Sequence, residues 1–243
     1  MIERDVTVTT RHGLMPAFAA CPDGSGPFPA VIFFMDAPGF REELKNMARR
    51  IAKQGYYCLL PDAYYRYGRI RFDLPRRYDG MSAVIRAAYL NLTDDNVKDD
   101  FAAMLGYLAA QQEVRSGPVG TVGHCMGGRF VTTTARQFPD QVAAGVSLYG
   151  TRLVTDQEDS PHLHLAGIKA ALYYGFGEKD HATPPDYMTT FRAALDKSGI
   201  DFGFDIYAGA DHGYCFAERQ NYEPTASEAS WAKMFDLYKR ALA

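Results

Sequence analysis

The 243-residue sequence predicts an α/β fold, a mostly parallel central sheet with helices on both faces. Two observations carry that expectation. A short, solid apolar run at 30–35 has the look of a strand covered on both sides, and further strands are read at 119–122 and 142–149. Between them lie segments whose apolar residues recur at helical spacing. No repeat, low-complexity tract or long linker interrupts the alternation. With 47% hydrophobic residues there is enough apolar material for one sizeable core, so a single domain over 1–243 is expected.

The elements follow in order. Residues 2–10 alternate weakly, as in an edge strand, and 21–27 form a turn-rich loop with Gly24, Gly26 and two prolines. After the strand at 30–35, Leu44, Met47, Ala48, Ile51 and Ala52 mark a helix that stops near Gly55. A strand at 56–60 ends at Pro61-Asp62. From Tyr64 to Tyr78 the chain is aromatic, rich in arginine and aperiodic, which reads as a loop with at most a short helix. Val97, Phe101, Met104, Leu105 and Leu108 predict a long helix behind an acidic start at Asp94-Asp95, suited to the positive end of the helix dipole. Further strands are predicted at 119–122, 142–149, 170–174 and 202–207, with a helix from Met126. Thr183 is expected as the cap of a helix led by proline. Thr225 and Glu228 are expected as a capping box for a last helix carrying Trp231, Met234, Phe235 and Tyr238.

The chemistry concentrates at Gly123-His124-Cys125-Met126-Gly127-Gly128, between a predicted strand and a predicted helix. A nucleophile flanked by glycines at −2 and +2 is the pattern of a strained strand-to-helix turn, with cysteine where serine is more usual. The glycines remove side chains that would collide across the turn. The sulfur is thereby presented at a helix N-terminus, where the dipole favours thiolate. The same residues also fit a glycine-rich turn with an inert cysteine. Two later loops argue for catalysis. The strand at 170–174 leads into Gly175-Phe176-Gly177-Glu178-Lys179-Asp180, and the last predicted strand leads into Gly209-Ala210-Asp211-His212-Gly213. Nucleophile, acid and histidine in that chain order, each at the C-terminal end of a strand, point to a Cys125–His212–Asp180 triad. Glu178 is an alternative acid; Asp211 is too close in sequence to reach round to the far ring nitrogen. His162 and His164 lack a third ligand at suitable spacing, so no metal is expected. Cys215 is expected to be packed and inert.

These segments resemble the dienelactone hydrolase family of α/β-hydrolases, over most of the chain from about Pro29 onward. Gly-His-Cys-Met-Gly-Gly is similar to the family's G-x-C-x-G-G. Gln54-Gly55-Tyr56 and Pro61-Asp62-Ala63-Tyr64-Tyr65-Arg66 are similar to its Q-G-Y and P-D-L-Y-x-R segments, with Ala63 in place of leucine. The resemblance implies an α/β-hydrolase fold without a separate cap domain. It implies an oxyanion hole from the backbone N–H groups of Ala37 and Met126. It also implies that Asp36 contacts the resting thiol, although the family residue is typically glutamate; a plain turn residue before Ala37-Pro38-Gly39 is the other reading. The arginine that the family carries four residues after the histidine is Phe216 here, and none falls at 80–82. Arg66 is then the first choice for a substrate carboxylate, with Arg69, Arg71, Arg76, Arg77 and Arg219 also near in sequence, and Tyr64 is expected to line the pocket. The implied reaction is hydrolysis of a lactone or small activated ester through a thioester, without metal or organic cofactor. A broad carboxylesterase and a non-catalytic ligand-binding protein are the alternatives.

Charge and cysteine usage narrow the setting. A net charge of −3 offers no general attraction for nucleic acid. No signal-peptide pattern begins the chain and no apolar run spans a membrane. Cys21, Cys58, Cys125 and Cys215 form no CxxC motif or disulfide framework, so a reducing cytoplasm is expected. The expected partner is a small-molecule substrate, with the protein a monomer or homodimer.

Overall fold

The computed structural model describes residues 1–24, 26–72, 74 and 79–243; Arg76, Arg77 and Tyr78 of the arginine-rich loop lie outside the described residues. The chain divides into two units, Met1–Gly117 and Pro118–Ala243.

In the first unit the strands are β1 (Ile2–Thr10), β2 (Gly13–Cys21), β3 (Ala30–Phe34) and β4 (Tyr57–Pro61), in the order β1-β2-β4-β3. β1 and β2 pair antiparallel, as do β2 and β4, whereas β3 and β4 run parallel. Parallel neighbours need a crossover, and α1 (Glu42–Lys53) supplies it. Its buried residues are Leu44, Met47, Ala48, Ile51 and Ala52, the face marked by the sequence period. Each large apolar side chain so buried contributes about 1.5–3 kcal/mol. A 3-10 turn (Tyr65–Tyr67) follows β4, then α2 (Asp79–Leu90) and α3 (Asp94–Ala109). Thr93 caps α3, accepting from the Asn96 N–H while Asn96 accepts from the Thr93 N–H.

The second unit is wholly parallel in its pairing, with β5 (Val119–His124), β6 (Val142–Leu148), β7 (Ala171–Gly177) and β8 (Phe202–Tyr207) in sequence order. α4 (Met126–Gln137) joins β5 to β6, α5 (Pro185–Ser198) joins β7 to β8, and α6 (Pro224–Ala241) ends the chain. β5 and β6 are almost entirely buried, with Thr121, His124 and Ser147 buried among their apolar residues. Tyr238 of α6 donates from its buried hydroxyl to the Thr121 carbonyl of β5 at 2.7 Å, which holds the last helix on the strand that leads to Cys125. Among the described residues no cap domain is inserted between these elements, and the architecture is that of an α/β fold with a mostly parallel sheet.

Several local expectations need correction. β2 and α2 carry little of the periodicity that reveals an element. β2 is an apolar run without alternation and with Pro16 inside it, and α2 buries only Ile85 while Val84 and Leu90 stay exposed. Thr183 is not the cap of α5: Pro184 holds that position and Pro185 opens the helix. Thr225 is likewise inside α6. Glu223 is the cap, its longer carboxylate folding back to accept from the N–H groups of Thr225 (3.3 Å) and Ala226 (2.6 Å). No helix among the described residues is long and apolar enough to cross a membrane.

Candidate active site

The turn from β5 into α4 is strained. Cys125 has φ 54° and ψ −114°, in a region that a residue with a side chain rarely occupies. The glycines around it are required by contact. A Cβ on Gly123 would lie 2.1 Å from the Gly127 carbonyl oxygen, and one on Gly128 would lie 2.6 Å from the Gly150 Cα. Main-chain hydrogen bonds hold the turn in place. The Cys125 N–H donates to the Leu148 carbonyl at 3.0 Å, and its carbonyl accepts from Gly128 (3.0 Å) and Thr151 (3.1 Å). The nucleophile candidate is thus laced through its backbone to the end of β6 and the segment that follows it. Its thiol is half-buried, whereas Cys21, Cys58 and Cys215 are buried. Met126 opens α4, so its N–H lies at the positive end of that helix dipole.

The acid and histidine loops are tied to each other. Glu178 and Lys179 donate their N–H groups to the carbonyls of Tyr207 (3.0 Å) and Ala210 (2.8 Å), and the Glu178 carboxylate accepts from the Gly209 N–H at 2.8 Å. Asp211 accepts the N–H of His212 at 2.6 Å. Both alternative acids are therefore engaged with main chain, and it is Asp180 Oδ2 that meets His212 Nδ1, at 2.7 Å. Asp180 is buried, and its other oxygen accepts from the Ala182 N–H at 2.8 Å. The opposite side of the imidazole is hydrogen-bonded to the Cys125 sulfur. The Asn221 amide donates to the His212 carbonyl, a support that the sequence pattern did not reveal.

Charge follows from this geometry. Burial alone lowers the pKa of His212. The negative charge of Cys125 and the hydrogen bonds and charge of Asp180 outweigh burial and raise it from 6.5 to about 10. Burial pushes the Asp180 carboxyl up, but the hydrogen bond and charge of His212, with Ala182 and Thr183, hold it below its usual range. The neighbours of His212 thus favour the charged form of its ring.

Another residue adjoins His212. Tyr149, directly after β6, is fully buried and stands edge-on to the imidazole, with ring centroids 5.2 Å apart and an interplanar angle of 68°.

The other residues singled out from the sequence lie in the first unit. Asp36 is fully buried, and the Arg41 guanidinium grips its two oxygens at 2.5 and 3.2 Å. The Gly39 N–H closes a turn onto the Asp36 carbonyl at 2.9 Å. The Tyr64 hydroxyl donates to the Ala37 carbonyl at 2.7 Å. Arg66 forks onto Asp100 at 2.6 and 2.9 Å, so the guanidinium expected for a substrate carboxylate is engaged within its own unit. Arg71 is paired with Asp62 at 2.8 Å.

His162 and His164 turn to different neighbours, the Ser160 hydroxyl and the Glu158 carbonyl. Asp180, His181 and Asp211 bring one ligand atom each within 4.8 Å of one another. Both oxygens of Asp180 are already engaged, by His212 and Ala182, and the Asp211 Oδ1 holds the His212 N–H, so this donor set suits the histidine better than a cation.

The model of the dienelactone hydrolase family matches residues 15–242. The chain belongs to the dienelactone hydrolase family. Among its curated relatives is a Methylorubrum extorquens protein assigned as a carboxymethylenebutenolidase, 26% identical over 244 residues, covering 99% of this chain and 81% of the relative. A Bradyrhizobium protein assigned as a 2-oxo-3-(5-oxofuran-2-ylidene)propanoate lactonase is 27% identical over 221 residues, covering 88% and 85%. A crystal structure from Klebsiella pneumoniae, assigned as a dienelactone hydrolase, superimposes with a TM-score of 0.88 at 25% identity, covering 98% of each chain. A dienelactone hydrolase-like promiscuous phosphotriesterase from metagenomic libraries shares the fold, with a TM-score of 0.80 at 21% identity, covering 99% of this chain and 98% of that one. As a dienelactone hydrolase family member the protein is an ester hydrolase with the α/β-hydrolase fold.

Proposed function

We propose that the protein hydrolyses a lactone or small activated ester through Cys125, His212 and Asp180. The observation that carries this reading is the His212 ring bridging the Cys125 sulfur and the Asp180 carboxylate, 2.7 Å from Nδ1. The Cys125 thiolate adds to the substrate carbonyl, and the Met126 N–H at the start of α4 faces the developing oxyanion. The acyl C–O bond breaks as the leaving oxygen takes the proton from His212. The product of that step is a thioester; for a lactone the released alcohol stays on the same molecule. His212, now neutral, accepts a proton from water as the water attacks the thioester, and the thiolate leaves. Asp180 holds the ring tautomer and balances the charged form. Thiolate is a good leaving group, so enol esters and lactones, whose own oxygen leaves readily, suit this site better than alkyl esters.

The names of the relatives support a lactone. With Arg66 and Arg71 engaged by Asp100 and Asp62, we assign them to holding their loops rather than to the substrate. Asp36, gripped by Arg41, has the same role for the turn at 36–39. Four free cysteines fit a reducing compartment such as the cytoplasm. Because the family match runs through both units, we read them as one folding domain, for which a single cooperative melting transition is the expected outcome.

The test is turnover of p-nitrophenyl acetate and of an enol lactone by the wild type and by Cys125→Ala. Loss of several orders of magnitude in a folded variant is expected; wild-type rates in the variant would remove the proposal.

A further inference from the structure

Among the described residues, the non-glycine positions with positive φ are Cys125 (54°), Tyr149 (42°) and Arg152 (58°). A bulky residue at positive φ is strained, and such strain persists only where the surroundings over-determine it. One of the three is the candidate nucleophile. The other two lie on the segment after β6 whose Thr151 N–H holds the Cys125 carbonyl. The strain at Tyr149 is held by its N–H, which donates to the Gly175 carbonyl of β7 at 2.6 Å. That bond sends the side chain into the core, where its ring meets Tyr214 at 5.0 Å, His124 at 5.6 Å and Phe216 at 6.2 Å, as well as His212. The rings beside it are held in turn. The Tyr214 hydroxyl meets Ser230 of α6 at 2.9 Å.

An imidazole joined at two nitrogens to two acceptors can still rock about the line between them. A rigid ring standing edge-on at 5.2 Å closes that freedom. We propose that Tyr149 is a positioning residue for His212, its backbone-strained and fully packed ring setting the imidazole plane that links Cys125 to Asp180. The proposal rests on the hydrolytic reading of those three residues.

The experiment compares the wild type, Tyr149→Phe, Tyr149→Leu, Tyr149→Met and Cys125→Ala in one ester assay, with folding checked by circular dichroism. The phenylalanine variant keeps the ring and is expected to hold kcat within about three-fold. The leucine and methionine variants lose it, and a displacement of the base by about 1 Å costs on the order of 100-fold in kcat. KM is expected to stay within about three-fold, because Tyr149 is buried behind the imidazole and does not meet substrate. Alkylation of Cys125 by iodoacetamide should slow in the same two variants and not in Tyr149→Phe, since a rocking imidazolium supports the thiolate less well. A folded leucine or methionine variant with wild-type kcat and alkylation rate overturns the proposal. So does a phenylalanine variant as impaired as leucine, which would move the role from ring to hydroxyl. Failure of both ring-less variants to fold would make Tyr149 a scaffold residue and overturn it as well. Activity surviving in Cys125→Ala would instead strike the hydrolytic reading, and the two failures are distinguished in the same plate.

Discussion

Replacing Asp180 by asparagine removes one charge from a buried site and leaves its shape intact. His212 is raised from 6.5 to about 10, a difference of about 3.5 pH units or about 5 kcal/mol in favour of the imidazolium. Removing the carboxylate charge forfeits a charge-assisted hydrogen bond of about 1.5–3 kcal/mol, or roughly 10- to 150-fold in the stability of the charged ring. A second effect adds to it. The asparagine amide would donate to Nδ1, forcing the ring proton onto the nitrogen that faces Cys125, where it can no longer accept one. In a serine protease triad the same exchange costs about 10⁴ in kcat. The expected loss in kcat for Asp180→Asn therefore lies between about 10² and 10⁴, read with p-nitrophenyl acetate at pH 7. Titration of His212, followed by NMR of its ring protons, should move down from about 10. A folded variant within about five-fold of wild-type kcat would refute the assignment of Asp180 as the orienting acid.

The remaining predictions address charge, backbone and the first unit. A histidine whose pKa is raised on folding stabilises the fold fully below about 6.5 and loses that contribution as pH passes about 10, so the gap in Tm between wild type and Asp180→Asn should shrink between pH 7 and pH 10.5. A gap that widens over that range would reverse the sign of the linkage. Gly123→Ala places a Cβ 2.1 Å from a main-chain oxygen, which no side-chain rotation relieves; a loss of about 3 kcal/mol and of ester turnover is expected by urea unfolding and assay. Arg66→Met leaves Asp100 buried beside the Tyr65 hydroxyl without its cation; stability should fall by about 3 kcal/mol while KM for neutral and carboxylate-bearing esters stays within about two-fold. A KM that rises for the carboxylate-bearing ester alone would return Arg66 to the substrate.

What the sequence disclosed depended on whether a physical constraint leaves a local pattern. β3 and β4 are buried on both faces and must be apolar throughout, so both were legible as solid runs. α1 buries one face, and its spacing named the five buried residues. α2 has almost no buried face and left nothing to read. The caps of α5 and α6 were misplaced because Pro184 and Glu223 are not among the short polar residues that usually close a helix start. At the site, the glycines around Cys125 betray a close approach, and the loops ending β7 and β8 carry the acid and the histidine. The pairing of Arg66 with Asp100 spans 34 residues and has no local signature. Tyr149 was hidden for a different reason: its position after β6 is ordinary in sequence, and only the sign of a backbone angle sets it apart.

The lacing of Cys125 to Leu148, Gly128 and Thr151 runs through peptide groups alone. Those bonds use no side chain, provided that Gly123, Gly128 and Gly150 stay bare. A chain built this way can exchange side chains beyond those glycines, generation after generation, while the Cys125 sulfur stays put. Such a scaffold is a favourable starting material for evolving new acyl preferences, in nature or in the laboratory.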